Sequence, residues 1–212
     1  MKGISFLSIL SVLVAWGTVR ADENCRDSAF ACPSIAERAP DDENRDLLFC
    51  NRSLAYYLNL KFANNPKALE EIGLKLKAGT LVVIRNAFPL DLAETVHHDL
   101  DEVQDWDMHE ACAPSGFCYR HHNFYDWSRF TSVMNATLNM FDGEESRDFM
   151  SGLSGRNCRG DKGTDGPPGS ASRYFPLDFS MPHSDHVLYR SVAYVWHLSK
   201  DWRPEWGGAL CK

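Results

Sequence analysis

The fold is decided by residues 172–198, SRYFPLDFSMPHSDHVLYRSVAYVWHL. Tyr174 and Phe175 end one β-prone run, Pro176-Leu177-Asp178 supplies turn chemistry, and Phe179-Ser180 opens a second run. From Ser191 the residues alternate. Val192, Tyr194, Trp196 and Leu198 fall on one side, and Ser191, Ala193, Val195 and His197 on the other. The bulky set suits packing beneath helices, while the smaller set suits a strand that lines a ligand cavity. His183 and Asp185 stand two apart at the mouth of this strand, so an imidazole and a carboxylate share one face. They are two thirds of the facial triad that binds iron(II) and leaves positions open for oxygen and a co-substrate.

Working outward, the upstream half reads as helical. Leu54, Tyr57, Leu58 and Phe62 recur at helix spacing behind a capping Ser53. A second helix starts at Pro66 and closes at Gly79, with Leu69, Ile72 and Leu76 on one face. Thr80–Asn86 is a β-branched run that predicts a buried strand. Helices are predicted again from Pro89 to Val103 and over Asp126–Phe141. Arg156–Ser170 is a Gly/Pro-rich loop, and strands follow it. Helices first and strands afterwards predict an α+β layout, with helices bracing one face of a sheet or barrel.

The N-terminus predicts a secretory signal peptide over residues 1–21. Lys2 precedes the apolar run Ile4–Trp16, and Val19-Arg20-Ala21 offers a small-residue cleavage site before Asp22. Residues 22–52 form a polar leader containing Cys25, Cys32 and Cys50, and the domain proper begins at Ser53. No later apolar stretch is long enough to cross a bilayer. A secretory location, in the endoplasmic reticulum lumen or outside the cell, makes the cysteines candidates for disulfides; seven is odd, so at least one lacks a partner within the chain. The sequons at Asn51 and Asn135 suit the same compartment. A formal charge of −7 argues against a nucleic-acid partner.

His109, Cys112, Cys118 and His121 form H-x2-C-x5-C-x2-H, a spacing that suits either tetrahedral zinc or a Cys112–Cys118 disulfide closing a small loop. An oxidising compartment favours the disulfide, and His97-His98 and His121-His122 then read as surface or satisfied residues. Glycines at every third position from Gly160 to Gly169 read as a linker or lid, because a triple helix needs many more triplets. The Arg159-Gly160-Asp161 tripeptide is too short to carry a recognition function.

The pattern Y…PLDFSMPHSD…R…YVWHLSKDWRPEWGGAL resembles the catalytic domain of 2-oxoglutarate- and iron(II)-dependent oxygenases of the prolyl 4-hydroxylase group, most closely its soluble yeast and HIF-type branch. The clear likeness covers residues 172–210. It implies a double-stranded β-helix, a jelly-roll-like core, braced by the N-terminal helices and incomplete at its C-terminus. It also implies iron(II) and 2-oxoglutarate, with ascorbate as a family expectation, and a protein or peptide substrate containing proline. Carried over by position, His183 and Asp185 match the first two metal ligands and Tyr174 a tyrosine that hydrogen-bonds 2-oxoglutarate. His197 stands where relatives often have another tyrosine near that co-substrate. The group completes its site with a distal histidine and a basic residue; no histidine follows His197 here, and the later basic residues are Lys200, Arg203 and Lys212. The expectation is a truncated sequence that binds iron weakly and turns over nothing, with Cys211 paired in the lost part. Two rival readings are a non-catalytic secreted binding domain derived from the same fold and a disulfide- or zinc-stabilised extracellular module centred on Cys112–His122.

Overall fold

Local capping starts each helix where the sequence provides an acceptor. Ser53 Oγ accepts the Tyr56 amide at 3.1 Å and releases α1 (Leu54–Lys61). Asn65 caps α2 (Pro66–Lys77), with proline at its first turn and Gly79 at φ +69° just past its end. Next come α3 (Leu90–Asp101) and α4 (Ser132–Asp142), the latter capped by Thr131 onto the Met134 amide at 3.1 Å. A fifth helix, α5 (Glu144–Ser154), ends on Gly155 at φ +68°. These come from a computed structural model that describes residues 6–15, 52–114, 116–159, 169–183 and 190–203.

The strands are β1 (Phe6–Ala15), β2 (Asp107–Cys112), β3 (Cys118–Phe124), β4 (Ser170–Tyr174), β5 (Phe179–Ser180) and β6 (Arg190–His197). They make one antiparallel sheet in the order β2-β3-β4-β1-β6, with β5 pairing β3 off that path. The result is α+β, as the order of helices and strands predicts.

Register fixes the two faces. Residues directly opposite in an antiparallel pair project to the same side. Phe124 pairs Ala171, Ala171 pairs Leu10, and Leu10 pairs Trp196. That face meets the helices: Phe124, Ala171 and Leu198 are buried, and Val192, Tyr194 and Trp196 pack against the core. Phe88 joins the layers, with its ring 5.4 Å from Tyr57, 5.7 Å from Phe141 and 4.5 Å from Trp196. Each such aromatic pair adds about 0.5–1.5 kcal/mol beyond area burial. The fully buried Ser146 ties α1 to α4: its hydroxyl donates to the Met140 carbonyl at 2.6 Å and accepts the Leu54 amide at 2.9 Å. Arg173 locks β4 to α3 through Asp101 at 2.6 Å, with its guanidinium 5.0 Å over Trp106.

The alternation predicted for Ser191–Leu198 is what the sheet uses. Other expectations differ. Thr80–Asn86 forms no strand, and Leu81 and Val83 are exposed. β-branched residues make a strand only where a neighbouring strand takes their hydrogen bonds, and none lies beside this run among the described residues. Asp126–Phe141 is not one helix. Asp126 bonds the amide and hydroxyl of Ser128, a 3₁₀ turn covers Trp127–Arg129, and the helix restarts behind Thr131. The helix from Pro89 stops at Asp101, before Val103.

The N-terminal run has two competing uses. As sequence it predicts a cleaved leader; in the structure Phe6–Ala15 pairs β4 on one side and β6 on the other. A mainly apolar run, here interrupted only by Ser8 and Ser11, satisfies both a signal's hydrophobic region and a strand within a sheet. The two states exclude each other in one molecule. A chain beginning at Asp22 should therefore show faster amide hydrogen exchange in β4 and β6 than the full chain, because both lose a ladder partner. Equal protection in the two chains would show that β1 does not hold this position in solution.

Candidate active site

The face away from the helices carries the candidate chemistry. Tyr174 lies three residues from core-facing Ala171, and His197 lies next to core-facing Trp196, so both project to this second side. His121 is one residue from His122, which pairs core-side Arg173, and His109 pairs His121. The face therefore holds His109, His121, Tyr174 and His197 together.

One carboxylate builds the turn ahead of the ligand stretch. Asp178 Oδ2 accepts the Phe175 amide at 2.8 Å and lies 2.9 Å from His122 Nδ1, while Oδ1 lies 3.6 Å from Arg120 Nε. Its side chain is almost wholly buried. The turn holds Leu177 at φ +78°, an unusual conformation for a branched side chain, and leaves it exposed. β5 then pairs β3 at Tyr119 and Arg120, and the Met181 amide donates to the Cys118 carbonyl at 3.0 Å. His183 is delivered over the tip of the β2–β3 hairpin, its ring 4.5 Å from that of Phe117. From there a row of rings runs back along the face. Phe117 lies 5.4 Å from Tyr119, Tyr119 5.2 Å from His121, and His121 stacks at 5.4 Å on Tyr174.

His183 Nδ1 lies 2.8 Å from the Met181 carbonyl. That bond sets Nδ1 as the protonated nitrogen and makes Nε2 the basic one, the arrangement in which a metal-ligating imidazole is held. This much fits an iron ligand. Asp185 lies outside the described residues, so the geometry of the pair is not part of the structure.

Burial raises the Tyr174 pKa against a hydrogen bond to Ser180, so its phenol stays protonated and can donate to an anion. His197 is exposed at the strand end, yet partial burial of its ring lowers its pKa and keeps it neutral. His121 is lowered too, first by burial and then by neighbouring His109.

Cys112 and Cys118 form a disulfide across the hairpin. The four-ligand zinc alternative is overturned: the two sulfurs bond each other, and the cysteines lie three residues from their histidines on paired strands, hence on the opposite face. Cys158 is a free cysteine, buried with its pKa pushed up by burial. Asn135 is exposed on α4, its side-chain amide donating to the Phe130 and Thr131 carbonyls; Asn51 lies outside the described residues. No helix among the described residues is long and apolar enough to cross a membrane.

Sequence reasoning set His109 and His121 in a possible zinc spacing but not on the face of Tyr174. His122 is satisfied by Asp178, but His121 faces Tyr174 with a nitrogen that has no hydrogen-bond partner among the described residues. The available signal was the symmetry of the two runs about the cysteine-closed loop, which makes His109 and His121 cross-strand neighbours.

Removing the Asp178 carboxylate leaves the buried Phe175 amide and His122 without their acceptor. Asp178→Ala should cost about 1–3 kcal/mol in urea unfolding, and no loss would show that the turn holds without it. A second expectation concerns acid. The folded-state pKa of His121 lies below its unfolded value of about 6.5, so its contribution is full above that pH and is lost as pH falls towards the folded value. The stability difference between the natural chain and His121→Phe should change from about pH 8 to pH 6, at the natural chain's expense; a constant difference refutes it.

Residues 169–211 match the family model of the 2OG-Fe(II) oxygenase superfamily. No curated protein and no solved structure matches the chain. The matched segment contains Tyr174, His183, Asp185 and His197, and it is this segment that is similar to the 2OG-Fe(II) oxygenase superfamily.

Proposed function

We propose that this chain carries the iron- and 2-oxoglutarate-handling segment of a hydroxylase of the prolyl 4-hydroxylase group, acting on prolyl residues of a protein or peptide in the secretory pathway. The observation that carries the oxygenase reading is the superfamily match over residues 169–211. Substrate and compartment rest on the resemblance of the PHSD stretch and on the predicted leader.

Iron(II), 2-oxoglutarate and oxygen together supply oxidation of an unactivated C–H bond, with succinate and carbon dioxide as co-products. The chain's own part is binding and orientation. His183 presents Nε2 because Nδ1 is engaged by Met181, and Asp185 supplies the anionic oxygen two residues on. Tyr174 would donate a hydrogen bond from its protonated phenol to a co-substrate carboxylate, and His197, on the same sheet face, would offer a neutral imidazole. The ring row Phe117–Tyr119–His121 borders this region with surface that excludes water. The core is read as the jelly-roll of the group, and ascorbate as the reductant that keeps its iron ferrous.

His183 and Asp185 are two protein ligands, and the 212-residue polypeptide is expected to hold iron weakly. Anaerobic equilibrium dialysis with iron(II) and 2-oxoglutarate should nevertheless show retention that falls at least tenfold in His183→Ala and Asp185→Ala. Succinate release and a one-oxygen mass gain on a proline-containing peptide then test the reaction. Equal iron retention by the natural and substituted chains rules the reading out.

A further inference from the structure

We infer that His109 and His121 form a second cation site, a two-imidazole seat for a borderline divalent ion of the zinc and copper class, separate from the iron residues His183 and Asp185. The two histidines face each other directly across the β2–β3 hairpin. Directly opposed residues have Cβ atoms roughly 4.5–5.5 Å apart, a span two imidazoles can close around one ion at about 2.0–2.1 Å per nitrogen.

Both rings carry a nitrogen without a hydrogen bond. His109 Nε2 and His121 Nδ1 are buried and have no hydrogen-bond partner among the described residues. Most buried polar atoms do have one, so two orphans on cross-strand partners of one face point to a shared third party. The chemistry of His121 says what kind. Its ring has Asn123 as a side-chain hydrogen-bond partner, and Asn123 Oδ1 accepts the Ser172 hydroxyl at 2.7 Å. In the tautomer that protonates the nitrogen bonded to Asn123, the other ring nitrogen is a lone pair. A lone pair cannot donate to a carboxylate. It can ligate a metal, and a second hydrogen-bonded partner that fixes the tautomer is the usual support of a ligating histidine.

The surroundings fit. Tyr174 stacks on His121, and Tyr125 lies edge-on to His109 at 5.0 Å, so both rings are held before any ion arrives. β2 is the edge of the sheet, which opens a lateral approach. Nitrogen-only ligation selects zinc or copper over magnesium or calcium, which prefer oxygen. Water completes the coordination. The cysteines of the same hairpin are excluded because they face the other side and are joined in a disulfide.

Zinc alone is the probe. Equilibrium dialysis of the full chain should show an equivalent of zinc that persists in His183→Ala and Asp185→Ala and weakens at least tenfold in His109→Gln and in His121→Gln. The same zinc should slow amide exchange across β2 and β3 in both the unsubstituted chain and His183→Ala, a measurement that does not depend on the glutamine variants folding. Zinc binding lost with His183→Ala, kept in both glutamine variants, or without effect on β2–β3 exchange would overturn the site. Failure of the oxygenase reading looks different: iron retention insensitive to His183 with hairpin zinc binding intact.

Discussion

The buried carboxylate of Asp178 is the constraint on which the candidate site depends. It closes the turn after β4 by accepting the Phe175 amide, and the same oxygen meets His122 on β3. One side chain therefore fixes both the direction of the returning strand and its attachment to the hairpin. Without that double bond the sequence would still turn at Pro176, but nothing would fix where it lands. The landing point matters because β5 is two residues long and Met181 adds a single further amide bond to β3. So short a ladder cannot fix its own register, whereas a buried carboxyl group bonded to both the turn and β3 can.

The helices act on the site from the other side of the sheet. The Phe88 cluster and the Arg173–Asp101 pair draw the residues of one parity into the core. Alternation then obliges Tyr174 and His197 to point away from it. The site is in this sense the complement of the core. Its composition of imidazoles, phenols and small residues is tolerable because the opposite parity of the same strands carries the apolar burden.

How much of this was legible follows from which residues had one demand on them. Ser191–Leu198 was readable because its two faces differ sharply, bulky on one side and small on the other. The hairpin was not, since DMHEAC and CYRHHNF carry polar or aromatic residues on both faces and show no apolar period of two. Helix α5 escaped because its apolar side is Phe149, Met150 and Leu153 alone, with Ser146 and Ser154 buried among them through hydrogen bonds that no pattern announces. Thr80–Asn86 failed in the opposite direction, as intrinsic preference without a neighbour to pair. Of the site, His183 and Tyr174 were visible as members of a motif. His109 and His121 were visible as a ligand spacing with the cysteines, but only register set them opposite each other and apart from the sulfurs.

The hairpin also shows why one cysteine pair can serve a site without contributing an atom to it. The Cys112–Cys118 bond closes a loop of few residues beyond the last ladder pairs of β2 and β3. A short covalent closure removes little loop entropy from the unfolded chain, so its larger effect is on register: a slip of one residue would separate the sulfurs. The same slip would carry His121 and Tyr119 from the Tyr174 face to the helix face, where the core leaves no room for them. Holding Cys118 opposite Cys112 therefore holds the ring row from Phe117 to Tyr174 in place. The sulfurs on one side of the sheet fix the imidazoles on the other.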